Sequence, residues 1–229
     1  MRLYLIRHGQ TTSNVGRHLD TQEPGASLTD LGRQQAAAVP EALSGLEIEA
    51  IYASTLVRTQ QTAEPLAREL GLEVQIRDGL REVPAGGLEM KNDEGSIHTY
   101  LSTILGWADG GGAVPLPGTS MTGDEVLGRF DEVVGEVFGT GVAAAAVFSH
   151  GAVLRAWTAA RSENVTPEFA ARTPVENTGV IVVSGAPGRW RAERWQEHAL
   201  GGGAVDAGED GAAAEAVGPE EVRHPSRRG

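Results

Sequence analysis

The sequence predicts an α/β fold: a doubly wound, mostly parallel sheet covered by helices on both faces. Three observations predict it. Apolar runs of strand length recur, amphipathic helical patterns lie between them, and the two alternate in order along a chain of 229 residues. That length suits one sizeable domain better than two small ones.

Leu3 to Ile6 reads as the first buried strand, followed by Ala50 to Ala53, Glu73 to Ile76, Ala145 to Phe148 and Val180 to Ser184, with Trp190 to Trp195 as an edge strand. Thr29 is expected to cap a helix running to Leu43, Ser54 one running to Leu70, and Thr122 one running to Phe138. In the last of these, Val126, Phe130, Val133, Val134 and Val137 form an apolar stripe at helical spacing. A further helix is expected after Gly151, carrying Val153, Leu154 and Trp157. Residues 83–121 break the alternation. They are rich in glycine and proline but hold an apolar cluster of Tyr100, Leu101, Ile104, Leu105 and Trp107, which reads as a lid or insertion over the sheet's end. From Ala199 onward large apolar groups are too few to offset the entropy of ordering, so 199–229 is expected to be a disordered tail without a catalytic role, and 1–198 the domain proper.

Composition removes several function classes. The chain has no cysteine, which excludes thiolate nucleophiles, thiolate metal sites and disulfides. A net charge of −12 argues against nucleic acid or an anionic membrane as partner. No stretch approaches the roughly 20 apolar residues of a membrane span, and the opening residues do not form a signal peptide, so a cytoplasmic protein is expected. Lys91 is the only lysine, so any anion site must be local and built from arginine. His18 and His98 stand apart from the acids and no Asp-x-Asp pair occurs, so no metal is required. No Gly-x-Ser-x-Gly turn is present to support a serine hydrolase.

In an open α/β sheet ligands bind outside the carboxyl ends of the strands. Four such ends carry matching chemistry here: Arg7, His8 and Gly9 after the first strand; Ser54 and Arg58 after the second; Arg81 and Glu82 after the third; and Ser149, His150 and Gly151 after the fourth. Taken singly, each has an ordinary structural explanation. Recurrence of arginine and histidine at successive strand ends is not something that capping or solvation requires.

These residues resemble the histidine phosphatase superfamily, also called phosphoglycerate mutase-like (branch 1). The resemblance is carried by RHG at Arg7 to Gly9, QTTSN ending at Asn14, SLTDLGRQQA at Ser27 to Ala36, YASTLVRTQQTA around Arg58, LREVPAGGLE around Glu82 and FSHG at His150, and it covers about the first 185 residues. It implies a three-layer α/β/α sandwich on a mixed, mostly parallel sheet. It also implies that His8 is a nucleophile forming a phosphohistidine, that Arg7 and Arg58 hold the phosphate, and that His150 stabilises charge on an equatorial oxygen, with Asn14 and the amide of Gly151 adding donors. Glu82 is the implied proton donor and acceptor for the leaving alcohol, with Glu89 as competitor and Met90 where the family commonly has glycine.

The expected reaction is hydrolysis of small-molecule phosphate monoesters without metal or other cofactor. The alternatives are a phosphoglycerate mutase-type phosphotransferase and a phosphate-binding module without turnover. A mutase needs extra cations for the second anionic group of an acidic sugar, and between Arg81 and Arg129 the chain offers only Lys91 where mutases carry paired arginines. The expected partner is therefore a small phosphate ester, not nucleic acid and not a membrane, with homodimer formation an option. Tyr100, Leu101, Leu105 and Trp107 suit either an apolar or sugar face of the leaving group or packing of the lid onto the body.

Overall fold

The computed structural model describes residues 1–196 and 198–205. Six strands, β1 (Arg2–Arg7), β2 (Ala50–Ala53), β3 (Val74–Ile76), β4 (Ala144–Ser149), β5 (Val180–Ala186) and β6 (Arg189–Gln196), form one sheet in the order β3-β2-β4-β1-β5-β6. β3, β2, β4 and β1 run parallel, β5 is antiparallel to β1, and β6 is antiparallel to β5, so the sheet is mixed and mostly parallel.

Alternate residues of each strand face opposite layers. Leu3, Leu5, Tyr52, Val147 and Ile181 pack on one side in a core shared with α4 (Glu94–Gly106), α5 (Gly123–Gly139), α6 (Gly151–Arg161) and α7 (Pro167–Arg172). Tyr4, Ile6, Ile51, Phe148 and Val182 face α2 (Asp30–Ala42) and α3 (Val57–Leu70) on the other. These two cores are the outer interfaces of a three-layer α/β/α sandwich, as the sequence predicts.

Local chemistry explains most boundaries. Thr29 caps α2 through Gly32 N–H, and Thr122 caps α5 in a reciprocal box with Glu125. Ser54 does not cap α3. That helix begins later, with Leu56 at the cap position and no side-chain bond there; the Ser54 Oγ accepts from Leu56 N–H and faces His150. Two short helices escape the periodicity argument: α1 (Thr12–Val15), held by a capping box between Thr11 and Asn14, and α7. The apolar cluster of 83–121 is α4 and the turn after it, with Leu101, Ile104, Leu105 and Trp107 all buried in the larger core. For these residues packing of the insertion onto the body prevails; Tyr100 alone among the five also reaches a cleft.

Ala199 is buried, Leu200 N–H donates to Thr178 O, and Gln35 Nε2 donates to Val205 O at 2.8 Å, so 198–205 pack onto α2 and the start of β5. The remainder of the expected tail, 206–229, lies outside the described residues.

Gly9 and Gly32 record a close approach of two backbones. A Cβ on Gly9 would lie 2.7 Å from Gly32 O, and one on Gly32 would lie 2.1 Å from Gln10 O. α2 therefore starts against the turn leaving β1, and side-chain-free positions are required on both. Gly32→Ala is expected to lower stability by about 1–3 kcal/mol through forced displacement of this turn. A thermal melt superimposable on the wild type would refute the close-packing account.

Candidate active site

The site follows from strand adjacency. β1 and β4 pair with Arg7 opposite Ser149, and His8 N–H donates to Ser149 O at 3.1 Å. The next residue of each strand is a histidine, and the two rings lie 5.2 Å apart between centroids. β2 flanks β4, so Ser54 and Arg58 join them from the other side. Arg7, His8, Asn14, Arg58, Glu82 and Tyr100 line one cleft.

His8 Nδ1 lies 2.7 Å from Gly9 O, and Arg58 Nε donates to His8 Nε2 at 3.1 Å. A carbonyl oxygen only accepts and a guanidinium only donates, so the proton sits on Nδ1 and Nε2 carries a lone pair. Burial first, then the charges of Arg58 and Arg7, push the His8 pKa well below the ordinary imidazole range. His150 is fully buried, and burial followed by the Arg58 charge depresses it likewise. Its Nε2 lies 2.8 Å from Ser54 Oγ. Ser54 Oγ already accepts from Leu56 N–H, and the Thr59 hydroxyl has backbone carbonyls to donate to, so the Ser54 hydrogen is available to His150 Nε2. That leaves the proton on His150 Nδ1, a buried atom with no hydrogen-bond partner among the described residues.

Arg7 is fully buried and donates to Val175 O at 2.9 Å. Arg58 spends Nη2 on Asp20 O, with Nη1 3.8 Å from Asp20 Oδ2. Asn14 Oδ1 accepts from Thr11 N–H, the Thr11 hydroxyl and Asn177 Nδ2, which orients the amide so that its own Nδ2 remains a donor at the cleft. Gly151 opens α6, and the next two amides, of Ala152 and Val153, donate to Glu82 Oε2 and Oε1 at 3.2 and 3.0 Å, joined by Val83 N–H at 2.9 Å. A carboxylate at a helix N-terminus is where that dipole favours one. Glu89 is placed elsewhere: it accepts from Thr21 and Gln22 and does not line the cleft. Met90 has φ 58°, a left-handed conformation that costs an L-residue about 1–2 kcal/mol and accounts for glycine being common there.

Several contributors escape the sequence argument. Ser13 lines the cleft from α1, and His18, Asp20 and Thr21 line it from the loop that follows. Arg129 Nη2 donates to the carbonyls of Arg81 and Glu82 and so steadies the acid's backbone. Asn177 Nδ2 donates to His8 O, and Thr178 N–H bridges Arg7 O and His8 O with φ 59°, a strained position for a β-branched residue that these bonds hold. The one available signal for Asn177 was its place just before a strand, but a rule about carboxyl ends passes over an antiparallel one.

Among the described residues no group of three or more His, Cys, Asp or Glu has the geometry to hold a metal ion, and no helix is long and apolar enough to cross a membrane. Two strand-end histidines and two buried arginines thus meet at the end of one mixed α/β sheet. The histidine phosphatase superfamily (branch 1) profile matches residues 3–198, and the chain belongs to that family. It is 35% identical over 206 residues to a PE-PGRS family protein of Mycobacterium tuberculosis, a match covering 83% of this chain and 35% of that protein. It is 40% identical over 91 residues to a probable phosphoglycerate mutase of Erwinia tasmaniensis, covering 40% of this chain and 42% of the other. The chain thus spans about a third to a half of these relatives' length. Its fold is similar to that of a mycobacterial glucosyl-3-phosphoglycerate phosphatase complexed with VO3, with a TM-score of 0.71, 28% identity, and coverage of 85% of this chain and 98% of that one.

The buried neutral histidines make stability depend on pH. Their folded pKa values are depressed, so below about 6.5 the unfolded chain takes up protons that the native state refuses, and stability falls with pH; above that value they contribute no slope. Each should add roughly 1 kcal/mol per pH unit between pH 6.5 and 5. Denaturant unfolding of His150→Gln should show the shallower slope over that window. Identical slopes for variant and wild type would mean that His150 is not held neutral.

Proposed function

We propose that this chain is a metal-independent phosphatase that hydrolyses small-molecule phosphate monoesters through a phosphohistidine on His8. The observation that carries the reading is the His8 environment: Nδ1–H fixed on Gly9 O and the Nε2 lone pair beside Arg58, within a pocket of buried positive charge.

On binding, phosphoryl oxygens replace His8 Nε2 as acceptors of the Arg58 Nε–H, and Arg7, Asn14 Nδ2 and the Gly151 amide complete the cradle. His8 Nε2 attacks phosphorus as the ester P–O bond breaks. His150 Nδ1–H donates to an equatorial oxygen, which gives a buried unpartnered donor an acceptor. The departing alkoxide takes a proton from Glu82. Oε1 accepts two amides and Oε2 only one, so Oε2 is the oxygen with room for that proton. Glu82 then removes a proton from water, the hydroxide attacks phosphorus, the N–P bond breaks, and inorganic phosphate leaves.

Hydrolysis is favoured over transfer to an acidic sugar by the charge of the cleft wall. Lys91 is exposed and outside the cleft lining, whereas Asp20 is in it.

His8→Ala should lower p-nitrophenyl phosphate turnover by at least about 1,000-fold with the fold retained, and rapid quenching of wild type should trap an acid-labile, base-stable phosphoenzyme. Vanadate should compete and EDTA should not inhibit; loss of activity on chelation, restored by divalent metal, would overturn the metal-free mechanism. Glu82→Gln should cost alkyl phosphates roughly 100–10,000-fold and aryl phosphates much less, because aryl leaving groups depart without full protonation. Equal losses on both would remove Glu82 from proton transfer.

A further inference from the structure

We propose that Asp20 sets the class of leaving group: the cleft accepts esters whose alcohol portion carries hydroxyl or ammonium donors, and rejects those bearing a carboxylate. This rests on the phosphatase reading for its catalytic consequence but on hydrogen-bond inventory for its argument. Asp20 Oδ2 accepts from the Ser13 hydroxyl at 2.7 Å and from Ala26 N–H at 2.9 Å, which sets the orientation of the carboxylate. Oδ1 has no hydrogen-bond partner among the described residues, and the residue lines the cleft. Arg58 Nη1, at 3.8 Å from Oδ2, is a charge neighbour and not a hydrogen bond.

The hydroxyls around it are committed in the same sense. Ser13 gives its hydrogen to Asp20, Thr21 gives its hydrogen to Glu89, Thr11 to Asn14 Oδ1, and Tyr100 to Val83 O at 2.6 Å. A hydroxyl has one hydrogen, so what these groups show the cleft is lone pairs. Donors are concentrated at the phosphate end, in Arg7, Arg58 and Asn14. Once a phosphate dianion has matched the two arginines, the charge left in the lining before proton transfer is that of Asp20, and a second anion on the substrate meets its repulsion, with His18 as the nearest ring able to donate. A polyol, sugar or amino-alcohol instead supplies donors that Asp20 Oδ1 can accept.

Glycerol 3-phosphate and 3-phosphoglycerate test this directly, since one carries a hydroxymethyl group where the other carries a carboxylate. Dissociation constants measured by calorimetry on His8→Ala, which cannot turn over, should favour glycerol 3-phosphate by about tenfold or more, and the double variant with Asp20→Asn should lose most of that preference by gaining affinity for 3-phosphoglycerate. Equal or reversed preference with Asp20 intact overturns the inference, as does binding of neither ester; this arm stands even if the Asp20 variant fails to fold. Phosphate release by the wild type is scored separately. Binding preference without hydrolysis sinks the phosphatase reading and leaves Asp20's role, while hydrolysis without preference does the reverse.

Discussion

The parallel pairing of β1 with β4, Arg7 opposite Ser149, is the constraint on which the site depends. It makes two histidines neighbours that are far apart in sequence, and a slip of one residue would turn every side chain of β1 to the opposite face of the sheet. The register is held from both layers, since Leu3 and Leu5 belong to one core and Tyr4 and Ile6 to the other. Because the core specifies the register, the core also specifies the distance between the rings.

A second constraint is electrostatic. Arg7, Arg58 and Arg155 are all buried, and burial lowers the Arg58 pKa and takes Arg155 down to about 9, with Arg7 the next contributor. Backbone carbonyls supply much of the compensation. Arg155 donates to Ala170 O and Ala171 O, Arg7 to Val175 O, and Asn177 to His8 O. The end of α7 and its connector to β5 thus brace the cleft from behind by accepting from these cations. Burial, and after it the same field, keeps both imidazoles neutral, so the state of His8 that carries a lone pair is a property of the surroundings more than of the ring.

How much was legible in the sequence depended on the range of the interaction concerned. Thr29 and Thr122 were readable as caps because a cap is a bond across three residues. Ser54 reads as a cap by residue type, but the helix starts two residues later and the bond that places Ser54 at the site, to His150, spans 96 residues. The insertion's apolar side chains were readable as apolar, but whether they met substrate or core depended on where α4 docks. Ala199 to Val205 are poor in apolar groups, and their contacts with the Gln35 side chain and the Thr178 carbonyl run through backbone groups that composition does not register.

By itself the sequence determined the α/β architecture, from the period of its apolar residues, and the chemical identity of the rim, from the residues that follow each parallel strand. Only the tertiary structure decided which of those residues act together. It placed Glu82 in the cleft at the N-terminus of α6 and Glu89 away from it on Thr21, and it set the His8 ring between Gly9 O and Arg58. It also brought Asn177 to the site by running β5 antiparallel, so that the strand's beginning, not its end, meets the carboxyl end of β1. Periodicity and residue type are local properties of a chain, whereas strand order, direction and hydrogen-bond partner are set by which surfaces the folded core brings into contact.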